Sequence, residues 1–329
     1  MDQSKDVVSV ASEEKQSFLA DIMKGLLVDP KYLSSKYFYD KTGDRLFQQI
    51  MHCPEYYLTR CEKEILSTQA ADIAQSLKAN TSTSTFDLIG LGAGDASKSV
   101  YLLREFLKEN IMDTYYPVDI SSNVISLLEK TLPGQIPQIR MKGFNGEYME
   151  MLKQINTLPS KSKVVLFLGS NIGNFHPGQA VQFCSQLSQL LKKGDMLFIG
   201  FDLKKHPGTI LNAYNDKQGF TQAFNLNLLS RMNRELNANF DTSQFEHFPT
   251  YDPETGTCKS FLISLKAQSV QIGNHNNVSF KENEAIQMEI SQKYTLEETD
   301  QLADESGFEV VNHFFDARKW FVDCLWKCK

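Results

Sequence analysis

The sequence predicts an α/β protein: a doubly wound, Rossmann-like sheet joined to a second, smaller α+β lobe. Three features predict it. From residue 86, apolar runs of strand length such as "FDLIGLG" (86–92) and "VVLFLG" (164–169) alternate with stretches of helical period. These runs lack polar alternation, as strands of a parallel sheet covered on both faces do. Residues 205–285 then break the rhythm, being first helical and then hairpin-like.

The first element is a helix over residues 12–28. Phe18, Ile22 and Leu26 recur every fourth residue, with Leu19, Met23 and Leu27 beside them, and Asp29-Pro30 stops it. Residues 34–66 are crowded with aromatics and punctuated by Gly43 and Pro54. They read as a loop, a short helix at 44–51, a turn, and a helix from about Thr59. Strand "FDLIGLG" leads to helix "SKSVYLLREFLKEN", and strand "TYYPVDIS" to helix "SNVISLLEKTL". Strand "QIRMKGF" precedes a helix near 147–155. Strand "KVVLFLGS", helix "GQAVQFCSQLSQLLKKG" and strand "DMLFIGFDL" follow.

In the interruption, "TILNAYNDKQGFTQAFNLNLLSRMNRELNANF" is largely helical. "FEHFPTYDPETGTCKSFLISLKAQSVQIG" reads as a hairpin turning at "DPETG". Thr295 and Glu298 match a capping box, the helix they open ends near Gly307, and "FEVVNHFF" and "KWFVDCLW" are two strands. A terminal antiparallel pair on a parallel sheet is the usual finish of the class I methyltransferase version of this fold. The expected division is a helical segment at 1–58 contributing to the smaller lobe, the core at 59–204, an inserted lobe at 205–285 and a return to the core at 286–329.

The 329 residues suffice for one large core or two modest domains. Hydrophobic residues make up 41% and charged residues 22%, as in globular proteins generally. A net charge of −6 argues against a nucleic-acid partner. The stretch "MDQSKDVVSVASEEKQ" has no apolar h-region, and the longest apolar runs are too short to cross a bilayer. The six cysteines form no paired framework; Cys324 and Cys328 have no neighbours that complete a zinc site. The expectation is a cytoplasmic, monomeric protein with reduced thiols, no metal and no membrane.

"LIGLGAGDASKSV" (88–100) is a strand, a glycine loop and a helix start, which in such sheets cradles a nucleotide. A Walker loop needs a glycine directly before its lysine, and Lys98 has none. A dinucleotide fingerprint needs a third small residue, where Asp95 or Ser97 stands. The remaining G-x-G-x-G turn suits a ligand without phosphate. Asp119 closes the next strand, placed to accept both ribose hydroxyls, a feature shared by nicotinamide and S-adenosylmethionine sites. After the third strand, Glu147-Tyr148 offers a carboxylate and an aromatic ring for an adenine.

The blocks "PEYYLTR", "LGAG…K", "PVDIS", "FLGSNIGNF", "NREL", "FEH" and "EISQKY" together resemble the histidine-specific Nα-methyltransferases of ergothioneine biosynthesis. The resemblance runs from about residue 20 to the C-terminus. It implies an enzyme that makes hercynine, Nα,Nα,Nα-trimethylhistidine, from L-histidine and three S-adenosylmethionines. It implies that Gly92, Lys98, Asp119, Glu147 and Tyr148 contact S-adenosylmethionine, with Lys98 facing the methionine carboxylate. It places Tyr56, Asn174 and Tyr214 at the amino-acid end of histidine, with Tyr39 and Gly169 lining the same space, and makes Asn174 and Tyr39 the residues nearest the chemistry. Glu289 and Ser291 would bond the imidazole nitrogens; two apart on a strand, they share a face, and an imidazole presents one donor and one acceptor. Tyr37 and Tyr57 are read as packing.

Those residue types suit methyl transfer. An in-line displacement needs a neutral amine aimed at the methyl carbon and no intervening water. It needs no nucleophilic Ser or Cys.

Three departures from the family pattern stand out. Gly90 stands where a glutamate is usual, Glu147-Tyr148 replaces a more usual Asp-Phe, and Ser260 stands where relatives can carry a bulky methionine near the side-chain pocket. Ser260 motivates an alternative, N-methylation of a larger aromatic amino acid such as tryptophan. Gly90 motivates another, a non-catalytic relative that binds S-adenosylmethionine.

Overall fold

The structure is a computed structural model, and it describes residues 3–159, 161–274 and 276–329, with side chains from Lys15 onward. The chain opens with α1 (Gln3–Leu26), which buries the expected stripe of Phe18, Ile22 and Leu26. It begins nine residues before the expected start at 12, because Val7, Val8 and Val10, poor helix formers in isolation, are helical too. β1 (Lys31–Tyr32), a 3-10 turn and α2 (Lys41–His52) follow. The helix expected from about Thr59 is two, α3 (Tyr57–Thr68) and α4 (Ala70–Asn80), broken at Gln69, whose backbone leaves helical geometry (φ −117°, ψ 14°).

Then come β2 (Phe86–Leu91), α5 (Val100–Lys108), β3 (Met112–Asp119), α6 (Ser122–Gln135), β4 (Phe144–Asn145), α7 (Tyr148–Ile155), β5 (Ser162–Phe167), α8 (Pro177–Leu190) and β6 (Met196–Asp202). The expected strand "QIRMKGF" is a correction: only its end pairs as β4, with a single bridge from Met141 to Tyr115. It lies at the sheet edge, and at Gly143 the space for a side chain is taken by Ile125 and Glu129 of α6. α9 (Pro207–Ala213), α10 (Phe220–Leu236), β7 (Phe245–Asp252), β8 (Thr257–Ser264), β9 (Gln268–Ile272), β10 (Asn276–Phe280) and β11 (Ala285–Gln292) make up the interruption. α11 (Leu296–Glu305) opens on the Thr295–Glu298 capping box, and β12 (Phe308–Phe315) and β13 (Phe321–Cys328) end the chain.

The chain divides into two compact units. One comprises residues 1–56, 207–252 and 257–290; the other comprises 57–206, 253–256 and 291–329. The boundary within β11 falls after Ile290.

The second unit is built on a seven-stranded sheet of order β12-β13-β6-β5-β2-β3-β4. β4, β3, β2, β5 and β6 are parallel, while β13 runs antiparallel to β6 and to β12. β2, β5 and β6 are buried along their whole length, the physical reason their sequences show no polar alternation. The order reverses between β2 and β5. Such a reversal opens a crevice at the carboxyl ends of the two strands, where doubly wound sheets bind ligands.

The first unit holds a four-stranded sheet of order β1-β11-β8-β7 and a β9-β10 pair. Asp40 caps α2 by accepting the Gly43 amide (2.7 Å), accepts the Asn227 side-chain amide (2.8 Å), and pairs with Arg234. It thereby ties the start of α2, one residue after Tyr39, to α10.

Candidate active site

In the second unit, β2 ends at Leu91 and the chain turns at Gly92 with φ +68°, a left-handed conformation that favours glycine. A Cβ on Gly92 would lie 2.8 Å from the Asn171 amide nitrogen and 3.0 Å from the Tyr148 hydroxyl. Two side chains, one from the first residue of α7 and one from the 3-10 turn after β5, thus close on the bare backbone of the glycine turn. Asp119, ending β3, accepts the Gly94 amide (3.1 Å) through one oxygen and the Ser121 amide (2.9 Å) through the other. Each oxygen keeps a second lone pair. Burial raises the Asp119 pKa above the usual carboxylate value, and the amides of Ser121, Gly94 and Ile120 oppose that rise.

Glu147 is exposed at the start of α7. Tyr148 turns inward, its ring edge-on to Phe167 and Phe183 at 5.6 and 6.2 Å between centroids. Burial raises its hydroxyl pKa and keeps it neutral.

Lys98 and Gly169 meet across the crevice. Lys98 Nζ lies 3.4 Å from where a Cβ on Gly169 would stand, and Gly169 has φ +79°. Both are tied to Glu62 of α3: one Glu62 oxygen accepts the Gly169 amide (2.6 Å), and the other pairs with Lys98. Glu62 is fully buried. Asn174 is exposed at the end of the 3-10 turn that Asn171 begins. Ser291 is buried and accepts a hydrogen bond from Lys293 Nζ (2.7 Å), which also pairs with Asp202 at 2.8 Å. Tyr57 donates to both Asp202 oxygens (3.0 and 2.8 Å), which accounts for it as a structural residue. Burial works against the Asp202 charge, but the ammonium groups of Lys293 and Lys205 overcome it and hold the pKa below the usual value.

In the first unit, the three tyrosines singled out from sequence lie along one aromatic row. Tyr39 meets Phe47 (5.8 Å), Phe47 meets Tyr56 (6.4 Å), and Tyr56 meets Tyr214 (6.3 Å), each edge to face. Phe224 of α10 packs on Tyr39 (5.7 Å) and Phe47 (5.8 Å) from the side. Tyr37 instead donates to Asp21 (2.7 Å). Glu289 is half-buried on β11.

Sequence reasoning passed over Asn171, Glu62 and Phe47. Asn171 stands inside "GSNIGNF", the block that pointed to Asn174, but nothing local shows which asparagine turns toward Gly92. Glu62 has a weaker signal, a charge at a position of α3 flanked by buried Cys61 and Ile65.

The cysteines are all free and buried; burial pushes Cys61 and Cys184 up to about 12, far from a reactive thiolate. Among the described residues, no group of three or more His, Cys, Asp or Glu is arranged to hold a metal ion, and no helix is long and apolar enough to cross a membrane.

A parallel sheet finished by an antiparallel pair, with a glycine turn at its switch point and an acid at the end of the neighbouring strand, is the fold of a class I S-adenosylmethionine-dependent methyltransferase. Residues 18–328 match the family described as histidine-specific, S-adenosylmethionine-dependent methyltransferases, and the chain belongs to that family. It is 33% identical over 307 residues to the histidine N-alpha-methyltransferase of Mycolicibacterium smegmatis, covering 93% of each chain. It is 29% identical to ergothioneine biosynthesis protein 1 of Neurospora crassa, over 91% of this chain and 34% of that longer protein. It is 28% identical to the L-tryptophan methyltransferase trpM of Psilocybe serbica, over 93% of this chain and 91% of that one.

The residues present fit S-adenosylmethionine. The Gly92 turn is a cradle that a Cβ would fill, and Asp119 keeps acceptor capacity for two hydroxyls after binding both loop amides.

Proposed function

We propose that the protein methylates the α-nitrogen of L-histidine three times in succession, giving hercynine. What carries this reading is the pairing of a family match over residues 18–328 with an acceptor and a hydroxyl, Glu289 and Ser291, two residues apart on β11. The names borne by the bacterial and fungal relatives support histidine as substrate and ergothioneine synthesis as the setting.

S-adenosylmethionine supplies the electrophilic methyl group. The chain's residues hold and orient. Gly92, Lys98, Asp119, Glu147 and Tyr148 are assigned to S-adenosylmethionine, and Asn171 joins them through its approach to Gly92. Tyr39, Tyr56, Tyr214, Gly169 and Asn174 are assigned to the amino-acid end of histidine. Neutral tyrosine and asparagine groups suit an amine that exchanges N–H for N–CH3 at each round, because they do not depend on a full set of N–H donors. Asn174 and Tyr39 orient the amine and hold its lone pair toward the methyl. Glu289 accepts from the ring N–H; Ser291, whose oxygen takes a bond from Lys293, gives its own proton to an acceptor.

The unit of residues 1–56, 207–252 and 257–290 serves as the amino-acid-binding lobe, and the other as the methyltransferase core. The protein works as a cytoplasmic monomer without a nucleic-acid partner.

Methylation of a larger aromatic amino acid was favoured by Ser260 alone. In the structure Ser260 is buried and its hydroxyl lies 3.2 Å from His247 Nε2, so an imidazole already occupies space beside it. The test is a competition: S-adenosylmethionine with an equimolar set of amino acids, products identified by mass. Histidine should be consumed first; consumption of tryptophan with histidine untouched would overturn the assignment.

A further inference from the structure

We propose that Glu62 is the positioning residue of the S-adenosylmethionine site, holding Lys98 and the Gly169 amide in place across the sheet's switch point. Glu62 belongs to α3, outside both loops that line the crevice. Its two oxygens are divided between them: one takes the Gly169 amide at 2.6 Å, the other takes Lys98. A single buried carboxylate therefore sets the spacing of the loop after β2 and the loop after β5. Gly90, near the end of β2, stands where a carboxylate is expected and the Tyr115 hydroxyl takes the space beside it, while Asp95 of the glycine loop accepts the Ser97 amide (2.9 Å). Glu62 brings a carboxylate to this crevice from a helix.

The sheet is built to admit it. Gly200 of β6 has no side chain, and a Cβ there would lie 2.5 Å from a Glu62 oxygen and 2.9 Å from an Asp323 oxygen. The two carboxyl groups thus face the same gap, and the Lys98 ammonium that pairs with Glu62 also acts electrostatically on Asp323. Asp323 is fully buried and, among the described residues, neither of its oxygens has a hydrogen-bond partner. Burial, reinforced by the Glu62 charge, raises its pKa well above the carboxylate range against the opposing pull of Lys98. The raised pKa favours the neutral form of Asp323, and Lys98 pairs with Glu62.

The consequence is specific to one ligand. Losing the Glu62 charge frees Lys98, the residue assigned to S-adenosylmethionine, while the Gly169 amide, assigned to the amino-acid end of histidine, needs only a neutral acceptor. Glu62→Gln is the discriminating variant: its carbonyl still accepts the Gly169 amide, but its NH2 opposes the Lys98 ammonium.

Calorimetry with S-adenosylhomocysteine should show a loss of about tenfold or more for Glu62→Gln, the value of one charge-assisted bond. KM for S-adenosylmethionine should rise in step, with KM for histidine and the melting temperature held. In the Lys98→Met background, Glu62→Gln should cost no more than about twofold further, because the two act as a unit. Asp323→Asn, which resembles the neutral acid, should bind within about twofold of the parent.

Parent-like affinity in Glu62→Gln would overturn the proposal. So would a loss shared by both KM values together with the melting temperature, which marks a structural role alone. A tenfold loss in Asp323→Asn would move the working charge to Asp323 and overturn it as well. The proposal rests on S-adenosylmethionine occupying the glycine loop, not on histidine as acceptor. Binding is measured without an amino acid, so a wrong substrate assignment leaves this result readable.

Discussion

The Tyr115 hydroxyl stands 2.8 Å from where a Cβ on Gly90 would lie, so the smallest residue of β2 and a fully buried tyrosine of β3 form a matched pair. The missing glutamate is therefore not an empty place. Gly90→Glu should fail to restore a carboxylate and should instead crowd the ring, lowering stability in urea by about 1–3 kcal/mol, the usual cost of overpacking. An unchanged unfolding midpoint would show that Tyr115 is free to move aside.

Gly92 and Gly94 separate backbone strain from crowding. Both have positive φ, +68° and +54°, but among the described residues a Cβ meets Asn171 and Tyr148 at Gly92 and nothing within 4 Å at Gly94. Gly94→Ala should bear only the left-handed penalty of about 1–2 kcal/mol in stability. Gly92→Ala should add a loss of S-adenosylhomocysteine affinity of about tenfold, seen by calorimetry, as Asn171 is displaced. Equal affinities in the two variants would remove Asn171 from the site.

Much of this was legible in the sequence, for a physical reason. Strands buried on both faces must be apolar throughout, so β2, β5 and β6 announce themselves, and the glycine turn and Asp119 follow from their places at strand ends. β4 did not follow, because an edge strand interrupted at Gly143 shares its composition with a loop. The break at Gln69 between α3 and α4 has no glycine or proline to mark it. Glu62 was illegible as a site residue because its role depends on β2, β5 and β6 meeting beside α3, a relation no local pattern carries. Tyr39, Tyr56 and Tyr214 came from the family resemblance, and Phe47, which links two of them, carried no motif.

Glu289→Ala should impair histidine use by roughly 1–3 kcal/mol in kcat/KM, the cost of leaving a ring N–H without its acceptor. Steady-state kinetics at saturating S-adenosylmethionine reads the effect. Kinetics equal to the parent would take Glu289 out of the substrate site.

His247 should make stability depend on pH. Burial lowers its pKa from 6.5 to about 4, with the Asp216 charge opposing. The unfolded chain then takes up a proton below pH 6.5 that the folded chain refuses until about pH 4. Its contribution is whole above that upper value and falls with acidification at about 1.4 kcal/mol per pH unit. Denaturant unfolding at pH 7 and pH 5 should show His247→Gln losing less stability on acidification than the parent. Parallel losses would mean that the His247 ring is protonated in the folded protein.

The central claim is that the α-nitrogen of histidine receives the methyl groups. Incubation with S-adenosylmethionine carrying a 13C-methyl group, followed by NMR of the product, tests it directly. The expected result is a single 13C resonance from three equivalent methyls on the α-nitrogen, with three equivalents of S-adenosylhomocysteine released and the ring carbons unshifted. A methyl resonance on an imidazole nitrogen, or no labelled histidine at all while S-adenosylhomocysteine accumulates with another amino acid, would contradict it.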